Sequence, residues 1–118
     1  MLIIGGVIVF FFGRASQGKY ENVTPQQAES LIAAGNITIV DVREPFEYAE
    51  GHIPGAALIP LGTIQSKLAS LNPEDSYLLV CRSGNRSGQA ARILVAQGFK
   101  NVRNMTGGML AWRGSVAK

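Results

Sequence analysis

Apolar positions along this chain form short unbroken runs and helically spaced stripes, and the two alternate. "NITIVDVR" (36–43) and the strand read at 76–81, whose apolar part is "YLLV", lack an in–out alternation, so they predict strands covered on both faces. Before them, "VTPQQAESLIAAG" (23–35) carries the signals that start and stop a helix. Thr24 is placed to cap, Pro25 takes the first helical position, Gln27 can close a capping box and Gly35 ends the helix. Leu31 and Ile32 then face the core. "EPFEYAEGHIPG" (44–55) is broken by Pro45, Gly51, Pro54 and Gly55, which predicts one short helical turn inside a long structured loop. "AALIPL" (56–61) predicts a brief strand, and "TIQSKLASL" (63–71) an amphipathic helix with Ile64, Leu68 and Leu71 on one face. A helix over 87–97 stopped by Gly98, a short strand over "NVRNM" (101–105) and a short closing helix in "GGMLAWRG" (107–114) complete the series. "RASQGKYEN" (14–22) reads as a polar linker, and no repeat occurs.

Strands alternating with helices, with apolar runs at the centre, predict an α/β domain with a central parallel sheet and helices on both faces. Functional sites in such sheets gather beyond the carboxyl ends of the strands. Asp41 to Glu44 and Cys81 to Arg86 both fall at such ends. With 118 residues the chain makes one domain, large enough to bury a modest core. Cys81 is the only cysteine, which excludes an intrachain disulfide and a cysteine-based metal cluster, and a lone thiol fits a reducing compartment. The net charge of +3 is mild and scattered, without a basic tail or aromatic–basic interleaving, so nucleic-acid binding is not expected. Neither a metal nor a cofactor is implied.

The first thirteen residues, "MLIIGGVIVFFFG", contain no charged or polar side chain. As a helix they would be roughly 20 Å long, against a hydrocarbon core of roughly 30 Å. The segment lacks the basic start and small-residue cleavage site of a secretory signal. It predicts a short membrane anchor (residues 1–13), joined through a linker (14–21) to a domain over 22–118. Arg14 and Lys19 on its C-terminal side place that domain in the cytoplasm by the positive-inside bias. A soluble cytoplasmic domain with the segment packed inside it is the alternative.

The candidate chemistry lies in "CRSGNR" (81–86). Gly84 with the short residues Ser83 and Asn85 permits a tight curl whose successive N–H groups, backed by a helix opening at Ser87 and Gly88, form a concave anion nest. A thiol at its base is expected to ionise easily, with Arg82 or Arg86 favouring the thiolate. Such a thiolate is a nucleophile without a histidine base; His52, the only histidine, sits in the Gly/Pro-rich loop.

Three stretches together resemble the single-domain rhodaneses, the thiosulfate sulfurtransferase-like family: "VDVREPFEYAEGHIPGA" (40–56), "LLVCRSGNRSGQAARIL" (78–94) and "VRNMTGGMLAW" (102–112). The resemblance spans about residues 22–114 and implies the rhodanese-like α/β fold. It implies that Cys81 becomes a persulfide, with Arg82, Ser83, Gly84, Asn85 and Arg86 as the cradle around it and Ser87 starting the supporting helix. Asp41, Arg43, Glu47 and His52 match the upstream motif, where such residues hold loops together. Gly107, Gly108 and Trp112 match the closing segment. The implied partners are a small anionic sulfur donor such as thiosulfate and an acceptor that is cyanide, a thiol or a protein cysteine.

Two other readings stand beside this one. A membrane-tethered, non-catalytic rhodanese-like adaptor would use the same fold without the chemistry. A Cys-loop phosphatase or arsenate reductase would need five residues between cysteine and arginine, whereas four separate Cys81 from Arg86.

Overall fold

The computed structural model describes residues 18–118. Five strands form one sheet: β1 (Glu21–Val23), β2 (Thr38–Asp41), β3 (Ala57–Leu58), β4 (Ser76–Val80) and β5 (Asn101–Met105). Their order is β1-β5-β4-β2-β3, and every neighbouring pair is parallel. Parallel neighbours need crossovers, which α1 (Pro25–Ala34), α2 (Pro45–Glu50), α3 (Ile64–Lys67) and α4 (Asn85–Ala96) supply; α5 (Gly108–Ala111) follows the last strand.

The apolar run of β4 has its reason in the two cores it separates. Tyr77, Leu79 and Cys81 join Val40, Val42 and Val102 beneath Ile64, Ala90, Ala91 and Leu94 on the α3/α4 side. Leu78 and Val80 join Val23, Ile39 and Met105 beneath Ala28, Ile53 and Ala56 on the other, where Leu31, Ile32, Tyr48 and Trp112 also pack. A strand covered on both faces has no polar face to show. Helices therefore lie on both sides of the parallel sheet, as the pattern predicts.

α1 follows its sequence signals. The Thr24 hydroxyl accepts the Gln27 N–H at 3.1 Å, the Gln27 side chain accepts the Thr24 N–H at 2.9 Å, and Gly35 closes the helix at φ 88°.

Elsewhere the structure differs from the expected elements. β1 begins inside the stretch read as linker, and Tyr20 already packs on the core. Only Val23 of its three residues is buried, so there was no apolar pattern to find. The strand expected over 56–61 shortens to Ala57–Leu58 because Pro60 cannot donate to a ladder. The chain still follows β2 through Ile59 N–H to Asp41 O and Leu61 N–H to Val42 O. The helix expected over 63–71 is a tight turn at Leu61–Thr63, one α turn and a second tight turn at Leu68–Ser70, with Ile64, Leu68 and Leu71 still on the core. α4 starts at Asn85, two residues earlier than expected.

Among the described residues no helix is long and apolar enough to cross a membrane. The anchor expected at residues 1–13 lies outside the described residues.

Candidate active site

β4 ends at Val80, and the chain leaves the sheet at Cys81 with its side chain fully buried. Within three residues it must reverse into α4. Gly84 makes that possible by taking φ 101° as the N-cap of the helix. The curl turns N–H groups inward. The Cys81 Sγ accepts the Gly84 N–H at 3.1 Å and the Ser87 hydroxyl at 3.3 Å. Burial pushes the thiol's pKa up, but the Ser87 hydroxyl and the N–H groups of Ser87, Gly84 and Ser83 outweigh it, leaving the thiol below its ordinary value. These donors are the part of the expected effect that came from the curled loop, and Arg86 adds charge, since the Cys81 thiolate helps hold its guanidinium protonated. Arg86 spends its fork on Glu47, at 2.7 and 2.9 Å, and Arg82 is exposed.

The outer side of the loop is held by α5. Met109 N–H donates to Cys81 O at 2.9 Å and Leu110 N–H to Arg82 O at 3.0 Å, so those carbonyls turn away from the thiol. Such an approach needs Gly108, at φ 56°, where an added Cβ would lie 2.3 Å from Arg82 O and 2.5 Å from Cys81 O. The Gly107–Gly108 pair thus serves the loop at the end of β4 as well as its own turn.

The other flank is the segment after β2. Asp41 and Arg43 form a buried pair, with Arg43 Nη2 at 2.8 Å and Nε at 2.9 Å from the carboxylate. Arg43 Nη2 also reaches Gly51 O at 2.8 Å, fixing the far end of α2. From α2, Glu47 clamps Arg86, and that contact holds its carboxyl down at about 2 against the effect of burial. His52 faces away from this chemistry. Its Nδ1 lies 2.9 Å from Tyr48 O, which makes it the protonated nitrogen, its ring stacks on Tyr48 at 3.6 Å, and its backbone pairs with Ala117. The Trp112 indole N–H donates to Ser115 O at 3.0 Å while the ring packs against the core.

Of the residues expected around Cys81, the structure turns Ser83 and Gly84 toward the sulfur through their backbone and Ser87 through backbone and hydroxyl. Asn85 is exposed and accepts Gln89 Nε2 at 3.0 Å, so its side chain is occupied outside the nest. Two residues that sequence reasoning missed also join. Asn104, 5 % exposed, accepts the Ser87 hydroxyl at 2.5 Å, and its Nδ2 donates to Asn22 Oδ1 at 3.1 Å and Gly84 O at 3.3 Å. A polar asparagine inside the short strand read over 101–105 was the available signal.

Beside the loop an open hollow of about 240 Å³ is lined by Arg43, Phe46, Glu47, Arg82, Met109 and Leu110. Phe46 and Leu110 are 67 % and 66 % exposed, large apolar side chains at the rim of the candidate site.

Comparison with known proteins agrees with this geometry. The family model for the rhodanese-like domain matches residues 24–115. The Bacillus subtilis (strain 168) protein named "Putative sulfur carrier protein YrkF" is 46 % identical over 95 % of this chain, which spans 64 % of that relative's length. The thiosulfate sulfurtransferase GlpE of Pseudomonas entomophila (strain L48) is 38 % identical over 80 % of this chain and 86 % of its own. A crystal structure of a rhodanese-like domain protein from Staphylococcus aureus superposes with a TM-score of 0.73 at 38 % identity, covering 80 % of this chain and 92 % of that one. A five-stranded parallel sheet with a cysteine loop at the end of β4, matched over nearly all the described residues, makes this chain a member of the rhodanese-like domain family.

Proposed function

We propose that this protein is a sulfurtransferase that carries a sulfane sulfur on Cys81. The observation that carries the reading is the sulfur's setting: buried, at a strand end, and met by the Gly84 N–H and Ser87 hydroxyl. The Cys81 thiolate attacks the outer sulfur of thiosulfate or another sulfane donor. The donor's S–S bond breaks, sulfite leaves with the bonding pair when the donor is thiosulfate, and Cys81–S–S⁻ remains. The N–H groups at the start of α4 stabilise the anion as it forms. An acceptor thiolate or cyanide then attacks the outer sulfur, and the Cys81 thiolate leaves with the pair of that S–S bond. Ping-pong kinetics follow from the covalent intermediate.

Phosphoryl transfer finds less support. Arg86 gives one N–H from each terminal nitrogen to Glu47, so the carboxylate offsets part of the charge that a tetrahedral dianion would need. The hollow beside the loop, with Phe46 and Leu110 at its rim, favours a protein cysteine as the cellular acceptor, since a small anion has no use for that apolar surface. Attachment to a membrane through residues 1–13, with the domain facing the cytoplasm, belongs to the same proposal and rests on their unbroken apolar character.

Thiocyanate production from thiosulfate and cyanide tests the activity. Wild type should show parallel lines in double-reciprocal plots, and Cys81→Ser should fold yet turn over at background. Wild-type rates in Cys81→Ser would end the proposal. Fractionation of the full chain tests attachment: recovery in the high-speed supernatant without detergent contradicts it.

A further inference from the structure

The Ser87 hydroxyl sits between two acceptors, the Cys81 Sγ at 3.3 Å and Asn104 Oδ1 at 2.5 Å. A hydroxyl has one hydrogen and cannot donate to both. The orientation of the Asn104 amide is fixed independently. Its other end faces Gly84 O, a backbone carbonyl that can only accept, so the NH₂ group must lie there and the oxygen must face Ser87. Asn22 Oδ1 receives the second amide hydrogen. Two oxygens at 2.5 Å repel unless a hydrogen lies between them.

We propose that Asn104 is a positioning residue that competes with the Cys81 sulfur for the single hydroxyl hydrogen of Ser87, and so sets how strongly the thiolate is stabilised. In the thiol form the chain is satisfied in one direction: Cys81 S–H donates to Ser87 Oγ, and Ser87 O–H donates to Asn104 Oδ1. Ionisation of Cys81 removes the first hydrogen and turns the second toward the sulfur, leaving Asn104 Oδ1 without a donor. In the persulfide the charge moves to the outer sulfur, the inner sulfur becomes a poor acceptor, and the hydroxyl hydrogen returns to Asn104. Asn104 therefore disfavours the thiolate relative to the states on either side of it. Such a thiolate is less populated but more nucleophilic, because thiolate nucleophilicity falls as thiol pKa falls.

The inference takes Cys81 as the reacting group, as proposed above, but its readout is ionisation of the thiol and needs no sulfur transfer. Failure of one is thus separable from failure of the other. The charged groups around the loop stay constant in the test: Arg86 paired with Glu47 of α2, the Asp41–Arg43 pair beside β4, and exposed Arg82. The Tyr20 hydroxyl lies near Gly88 on the β1 side.

The rate of Cys81 alkylation by iodoacetamide is measured against pH in the full chain, with folding checked by circular dichroism. Asn104→Leu, which keeps the volume, and Asn104→Ala should lower the inflection by on the order of half to one pH unit, and lower the limiting thiolate rate. Exposed Asn22→Ala removes one of the two acceptors that hold the amide, so that Asn104 Oδ1 is pressed less firmly on Ser87 while Gly84 O keeps its orientation. It should shift the inflection the same way by less and carries little folding risk. Ser87→Ala should raise the inflection, and adding Asn104→Ala to it should change nothing further. A merely structural role for Asn104 gives the opposite sign, since a loosened loop loses the Gly84 donor. An inflection that rises in the foldable Asn104 and Asn22 variants, or an Asn104 effect that persists without Ser87, overturns the proposal.

Discussion

Glu47→Gln isolates the clamp that ties α2 to the cysteine loop across 39 residues of sequence. Glutamine keeps the shape and loses the charge. In the folded protein the carboxyl is lowered from 4.5 to about 2, chiefly by its hydrogen bonds to Arg86, against the opposing effect of burial. At about 1.4 kcal/mol per pH unit, that bounds the clamp at about 3 kcal/mol. The Arg86 side chain is 32 % exposed and screened by water, so the expected loss at pH 7 is about 1–2 kcal/mol. For a domain near 100 residues this is a Tm lower by roughly 5–15 °C. Because the folded-state pKa is depressed, the stabilisation is complete above the unfolded value of 4.5 and disappears as pH falls to about 2. Urea unfolding of wild type and variant at pH 7, 4 and 3 should therefore show a gap that narrows with acid. Equal stability at pH 7, or a gap that keeps its full size at pH 3, refutes the reasoning.

Gly108→Ala forces a Cβ to within 2.3 Å of Arg82 O, and should cost at least about 3 kcal/mol by urea unfolding. Gly35→Ala, equally left-handed at φ 88° but with open space around it, should cost only about 1 kcal/mol; equal losses would show that contact with the loop is not what Gly108 provides. Arg43→Met leaves the Asp41 carboxylate buried without its partner, and should lose about 3–5 kcal/mol at neutral pH in the same assay. In wild type, Cys81 alkylation should inflect below about pH 8.5, the value of an ordinary thiol, and an inflection at or above that pH contradicts the hydrogen-bonded thiolate.

Much of this fold was legible because its signals are local. Thr24, Pro25, Gln27 and Gly35 dictate α1 through chemistry within a single turn, and the doubly covered β4 shows as a plain apolar run. Gly84 at the strand-to-helix junction marked the loop for the same reason. What stayed hidden depends on partners far along the chain. β1 is a strand only because β5, some 80 residues later, offers it an edge, and two of its three side chains are exposed. Arg86 is legible as a cation near the thiol, but its pairing with Glu47, 39 residues away, is not. Asn104 meets Ser87 only through the β4–β5 crossover, and no spacing in the sequence encodes that meeting. Gly107 and Gly108 were visible as a turn, but the close approach to Arg82 that makes Gly108 necessary was not.

The central claim is that Cys81 carries sulfur as a covalent persulfide, and intact-mass spectrometry tests it most directly. Purified protein is incubated with thiosulfate, freed of excess donor and weighed, then weighed again after cyanide. The account predicts a gain of one sulfur atom, located by peptide mapping to the segment containing Cys81 and removed by cyanide with release of thiocyanate. A protein whose mass stays unchanged with thiosulfate and with other sulfane donors, or a gain that survives in Cys81→Ser, contradicts it.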